Sequence, residues 1–276
     1  MLRGTSLLFG KIALRTMGPL LLLGTRFLIA FVLVAFIFRK NLRNLHFTEM
    51  WHSALLGLVF FISTTLELIG LKTTPSSTTA FLEKSVIVIV PLIMCIIERK
   101  LPDRGTILGV ILAGIGVILL TIKGVTINFT RGELYVMVGA VCYAFSVIIT
   151  DYVCKKDDPS VVAVLQLFWI GAFSMVAALI FEDVRLPSSA TEWGAILWLA
   201  IVCSGVGFTL QPFAQKYTTA ERASLFVAFN PISAGILGVI FLHEEFTITS
   251  IIGSVLVLLA VIVPPLINGK KKNSAS

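Results

Sequence analysis

Charge is scarce in this chain. Only 13% of its 276 residues are Asp, Glu, Lys or Arg, where a soluble domain carries about 25%. With 57% hydrophobic residues and a mean hydropathy of +0.98, an ordinary water-soluble fold is excluded. Histidine is scarce too: His46, His52 and His243 each stand at the end of an apolar run. No mid-span imidazole is left to act as a general base or metal ligand, which argues against an intramembrane enzyme. The four cysteines, Cys95, Cys142, Cys154 and Cys203, lie in apolar runs or at their ends and show no metal spacing. No glycine-rich phosphate loop is present, which argues against ATP-driven chemistry in this chain.

What is abundant is long apolar sequence. Runs long enough to cross a bilayer cover approximately 17–38, 50–71, 77–97, 104–122, 131–153, 159–181, 191–212, 219–242 and 247–267. A shorter stretch, "GTSLLFGKIAL", precedes them. Lys11 interrupts it and no Ala-x-Ala site follows, so it reads as a shortened helix and not as a cleaved signal. The expectation is an all-α polytopic membrane protein of ten transmembrane helices. A dozen helical residues reach about 18 Å, short of a hydrocarbon core about 30 Å thick.

The net charge of +7 would point to nucleic acid in a soluble protein. Here the basic residues occupy short gaps between apolar runs. With a cytoplasmic N-terminus, the inner loops hold Arg39, Lys40, Arg43, Arg99, Lys100, Arg104, Lys155, Lys156, Lys216 and Arg222, and Lys270, Lys271 and Lys272 follow in the tail. The outer loops hold only Arg15, Lys72, Lys123, Arg131 and Arg185. This is a positive-inside bias, and it predicts a multi-pass protein of the cytoplasmic membrane with a cytoplasmic C-terminus. Asn128-Phe129-Thr130 matches a glycosylation sequon, which close to the membrane reads as chance.

Shifted by 140 residues, the chain matches itself. Thr78-Thr79-Ala80 falls on Thr218-Thr219-Ala220, Pro91 on Pro231, Pro19 on Pro159, Ser6 on Ser146 and Arg26 on Gln166. Each half holds five crossings, an odd number, so the second half enters from the opposite side as an inverted repeat. The predicted division is 1–125 and 126–268, with a basic tail at 269–276. Two such halves can rock about a shared site, which favours a secondary transporter over a membrane scaffold.

The segments "GTRFLIA", "TTAFLEKSVIVIVPLI", "GAVCYAF", "QKYTTAERASLFVAFNP" and "FLHEEFTITSIIG", in that order, resemble the drug/metabolite transporter superfamily, EamA type. The resemblance implies two five-helix repeats, both termini inside and a central substrate cavity. It marks Arg26 as the family's second-helix arginine, Pro91 and Pro231 as its helix prolines, and Glu244 as its ninth-helix glutamate. The family's first helix is longer and carries a Trp-Gly pair where this chain has Arg3-Gly4. The implied function is alternating-access movement, in the export direction, of a small metabolite or drug-like solute, with no cofactor and with proton or exchange coupling as an option.

Ionisable residues inside spans point to function, because insertion costs are high. Lys11, Arg26, Glu67, Glu83 and Lys84 all fall at similar depth in the outer half of the bilayer. Together they form a charged vestibule suited to a zwitterion or an anion. Glu83 and Lys84 are consecutive and point about 100° apart, so they meet different neighbours. Lys11 reads instead as snorkelling to the surface. The candidate substrate or gating residues are Arg26, Glu67, Glu83, Lys84, Tyr143, Gln166 and Asn230. Ser63, Thr64, Ser146, Ser204 and Gln211 are weaker, since hydroxyls in membrane helices mostly bond to their own backbone or to neighbouring helices. Gly109 and Ala113, with Ser250 and Ser254, have the spacing for close helix packing within the chain or across a homodimer.

Overall fold

The computed structural model describes residues 2–83, 85–99, 104–123, 126–127, 130–185, 187, 189–217 and 248–273. The helices are α1 (Leu2–Ala13), α2 (Pro19–Ile37), α3 (Phe47–Thr73), α4 (Ser76–Glu83), α5 (Val86–Glu98), α6 (Arg104–Thr121), α7 (Arg131–Lys156), α8 (Pro159–Phe181), α9 (Ala190–Trp198), α10 (Gly207–Tyr217) and α11 (Ile248–Asn273). A π-helical segment, Leu199–Val206, joins α9 to α10 without a break. The one departure from helix with regular pairing, among the described residues, is a two-residue antiparallel ladder between Ile122–Lys123 and Thr126–Ile127. The expected span 219–242 lies outside the described residues.

Helix starts follow local chemistry. Pro19 and Pro159 open α2 and α8 at a position where a missing N–H costs nothing. Thr130 and Glu133 cap α7 reciprocally: the Glu133 N–H donates to Thr130 Oγ1 (3.3 Å), and the Thr130 N–H to the Glu133 carboxylate (3.0 Å). The hydroxyl of the sequon's Thr130 is therefore a helix cap, while Asn128 lies outside the described residues.

Among the described residues, six stretches are long and apolar enough to cross a membrane: 19–37, 47–73, 78–97, 131–156, 159–181 and 190–213. Two shorter apolar helices cover 107–116 and 251–260. Many of the side chains that face outward are large and apolar, among them Val32, Phe36, Leu179, Ile180, Phe181 and Ile251. Polar residues such as Arg26, Ser63, Thr64, Glu83, Thr150 and Gln166 are buried. Apolar outside and polar inside is the arrangement of a protein whose solvent is lipid.

Three close helix pairs hold the described bundle together: α2 with α8, α3 with α7, and α6 with α11. Along α2 the partners on α8 descend as the α2 residues ascend, so the pair is antiparallel. A Cβ on Gly24 would lie 3.0 Å from the Met175 backbone, one on Gly171 would lie 3.0 Å from the Leu28 nitrogen, and the Phe31 and Phe168 rings are 5.2 Å apart. Only glycine allows backbones to approach this closely. The α3–α7 pair is tied by Ser63 Oγ, which donates to the Gly139 carbonyl at 2.9 Å. Gly116 of α6 packs against Gly253 and Val257 of α11, so small residues of these two helices serve packing within the chain.

The ends of the α2–α8 pair are tied as well. The Glu182 carboxylate, just past α8, accepts from the Leu20 and Leu21 N–H groups at 3.0 and 2.9 Å and so caps α2. Gly18 carries no side chain to obstruct that carboxylate. At the other end Asp158 caps α8 through the Ser160 N–H (2.9 Å) and accepts from Asn41 (3.2 Å).

Candidate functional site

Six helical segments meet around a small polar cavity. Its walls are Ser6 of α1, Arg26 of α2, Thr64 and Glu67 of α3, Glu83 of α4, Cys203 and Ser204 of the π segment, and Phe208 of α10. The cavity volume is about 20 Å³, room for a water or so. Arg26 and Glu83 are only 5% and 7% exposed, so both charges are withdrawn from solvent and from lipid.

Each wall residue has a local reason for its position. Thr64 and Glu67 are three residues apart and share one face of α3. Glu83 is the last residue of α4, where the apolar run 78–97 is divided before α5 begins at Val86. The π turn is wider than an α turn and is frequent at functional sites. Here it carries Cys203 and Ser204 to the cavity. Thr64 Oγ1 donates to the Phe60 carbonyl at 2.7 Å, as hydroxyls in membrane helices do. Ser204 Oγ is buried with no hydrogen-bond partner among the described residues, which leaves it for water or a solute.

The structure brings Arg26, Glu67 and Glu83 together from three helices. Lys84 and Asn230 lie outside the described residues. Tyr143 and Gln166 are not among the cavity's wall residues. Tyr143 stands edge-on to Phe60 at 5.8 Å, and Phe60 in turn stands edge-on to Phe208 at 5.4 Å. Gln166 donates from Nε2 to the Phe208 carbonyl at 2.8 Å. Lys11 does not join the vestibule; its ammonium donates to the carbonyl of Thr74 at the C-terminal end of α3 (3.4 Å), where the helix dipole favours a cation.

Cys203 and Phe208 have no sequence signal that sets them apart from other apolar residues in their span. Ser6 stood out only through its repeat match with Ser146. The Cys203 sulfur is 3.8 Å from Thr5 Oγ1, which also accepts from Trp198 Nε1 at 3.3 Å, so α1 is anchored to the wall that carries the π segment. With one guanidinium, two carboxyl groups and several hydroxyls, the cavity wall offers hydrogen-bond partners for charge of either sign. Among the described residues no cluster of His, Cys, Asp and Glu could hold a metal ion.

A second polar group lies at the Asn41 end of the bundle, away from the cavity. His52 Nδ1 is 2.8 Å from Asp157 Oδ2, linking α3 to the α7–α8 turn. Partial burial pushes the Asp158 carboxyl up, but the Ser160 N–H, the Asn41 amide, the Ser160 hydroxyl and the charge of Lys216 outweigh it and hold the group below the usual carboxylate range.

Known proteins of similar sequence and shape are transporters by name or match in fold. A transporter of Archaeoglobus fulgidus, named as uncharacterized, is 25% identical over 253 residues, spanning 92% of this chain and 79% of its own. The uncharacterized transporter YyaM of Bacillus subtilis (strain 168) is 28% identical over 184 residues, 62% of this chain and 60% of its own. A solved crystal structure superposes with a TM-score of 0.71 at 18% identity, covering 96% of both chains, and so shares the fold. The EamA-like transporter family matches twice, over residues 1–122 and 130–263, and this chain belongs to that family of membrane transporters.

Proposed function

We propose that this protein is a secondary transporter that moves a small charged or zwitterionic solute across the cytoplasmic membrane by alternating access, in the export direction. The observation that carries the reading is the convergence of Arg26, Glu67 and Glu83, from three helices, on one small cavity. Charges in a span cost about 2.5–3.5 kcal/mol each at mid-helix and are retained where they serve a pathway. A cavity of about 20 Å³ is too small for a metabolite, so the described state is closed and a solute is admitted only when helices separate.

The reading includes ten helices in two inverted five-helix repeats. The double family match supports it. So does the α2–α8 pair: moving 140 residues forward from α2 and back from α8 carries the Leu28–Gly171 contact onto the Phe31–Phe168 contact of the same antiparallel pair. Such self-correspondence is expected of a pair astride a pseudo-two-fold axis.

The test is transport in proteoliposomes. Amino acids, organic anions and neutral sugars are offered as separate radiolabelled pools, with and without a pH gradient. Accumulation or counterflow of a charged class, lost in Arg26→Gln, is the expected result. Movement of neutral sugars alone, or of nothing in folded and oriented protein, would overturn the reading. Thiol labelling of single cysteines at positions 43, 127 and 270 checks the orientation. Only 127 should react from outside.

A further inference from the structure

Pro212 lies inside α10 and has no N–H. In an α-helix that N–H would have donated to the carbonyl four residues earlier, which here belongs to Phe208. The Phe208 carbonyl, inside the bundle, loses that backbone donor. Gln166, reaching across from α8, donates Nε2–H to it at 2.8 Å. Gln166 is 1% exposed, and its own Oε1 has no hydrogen-bond partner among the described residues. A buried glutamine with half its amide unsatisfied is expensive in a span, so the half that bonds must matter.

The residue it holds is the cavity's aromatic wall. The Phe208 ring sits between Phe27 (centroids 4.9 Å apart, edge-on) and Phe60 (5.4 Å). Immediately before it runs the π segment Leu199–Val206, whose Cys203 and Ser204 form the adjoining wall. A π turn holds about one residue more than an α turn. Relaxing it to α would therefore rotate Cys203 and Ser204 by about 100° relative to Phe208. A contact at Phe208 therefore bears on which way that wall faces.

We propose that Gln166 is a positioning residue of the transport site: its amide replaces the helix hydrogen bond that Pro212 cannot make, and so holds the π-helical wall in the register that turns Cys203, Ser204 and Phe208 to the solute. This rests on the cavity being the transport site. The bond replacement itself can be tested without transport.

The probe is N-ethylmaleimide. In protein whose Cys95, Cys142 and Cys154 are replaced by serine, the rate of Cys203 alkylation reports the wall. Gln166→Leu removes the side-chain donor to the Phe208 carbonyl and should change that rate about tenfold. Pro212→Ala alone restores a backbone donor and should alkylate at the parent rate, since a carbonyl accepts two bonds. The double variant Gln166→Leu/Pro212→Ala should return to within about twofold of the parent. If Gln166→Leu fails to fold while the double variant folds, the same replacement has been demonstrated. Equal alkylation in Gln166→Leu and the parent, or no rescue by Pro212→Ala, overturns the proposal. In transport assays Gln166→Leu should raise KM for the solute with a smaller change in maximal rate, and the double variant should reverse it. Rescue of alkylation with no solute moved by any variant would refute the transport reading and leave the Gln166 assignment standing.

Discussion

The two faces of α2 differ in what holds them. One face meets α8 through glycine and leucine, with backbones in contact at Gly24 and Gly171 and no charge along the buried length. The other turns Arg26 to a polar cavity that no side chain fills. Lipid supplies no hydrophobic drive between helices, so the α2–α8 contact depends on close packing and on the ties at its ends. The cavity has the opposite character: its charges are costly and its packing is incomplete. The contact should govern stability and the cavity should govern activity.

The largest effect should come from breaking the contact. A leucine at Gly171 would drive its side chain into Leu28, against both its side chain and, at 3.0 Å from the new Cβ, its backbone nitrogen. Gly171→Leu should cost about 3 kcal/mol, the upper end of overpacking penalties, seen as lost monodisperse protein or a sharply lowered melting temperature in detergent. A Gly171→Leu variant that melts like the parent would mean that α2 and α8 do not meet as described.

Next come the cavity charges. Arg26→Gln, Glu67→Gln and Glu83→Gln keep size and polarity but remove charge. Each should lower transport about tenfold, the loss of one charge-assisted bond, while folded yield stays well above that of Gly171→Leu. Normal transport in all three would reduce the charges to architecture.

A smaller effect is expected at the end of the contact. Glu182→Ala removes the cap of α2 and should cost about 1 kcal/mol of stability. Glu182→Gln should cost less, because its amide oxygen still accepts from one of the two N–H groups but without the charge that favours a helix N-terminus. Melting in detergent separates the two.

The smallest concerns pH at the opposite end. The Asp158 carboxyl is held below its ordinary range in the folded protein. Its contribution is therefore complete above the unfolded carboxylate value and is lost as pH falls through the lowered folded value. Melting followed from pH 7 down to about pH 3 should show a shallower acid-side decline in Asp158→Asn than in the parent. An identical decline would mean that the Asn41 and Ser160 contacts add nothing.

The helices were largely legible because twenty-odd consecutive apolar residues have few other uses. The expected 159–181 coincides with α8, and 17–38 and 131–153 fall within three residues of α2 and α7 at every end. The expected 191–212 is one continuous helical stretch, but its central π turn leaves no mark in composition. The expected 77–97 contains two helices, α4 ending at Glu83 and α5 beginning at Val86. The grouping of Arg26, Glu67 and Glu83 was legible through depth, since rise per residue places them at one level and cost marks them out. Lys11 was not: a lysine near a helix end can snorkel, enter a cavity or cap a neighbouring helix, and only the position of α3 decides.

By itself the sequence determined the solvent, the approximate spans and which residues were too costly to be incidental, because hydropathy and charge are properties of residues in order. Tertiary structure alone decided which helix faces meet. It set Gly171 against Leu28, put the Glu182 carboxylate on the start of α2, and gave Phe208 a donor from Gln166 that its own helix could not supply. Those contacts join residues far apart in the chain, and such partners are chosen by packing geometry, which no local pattern encodes.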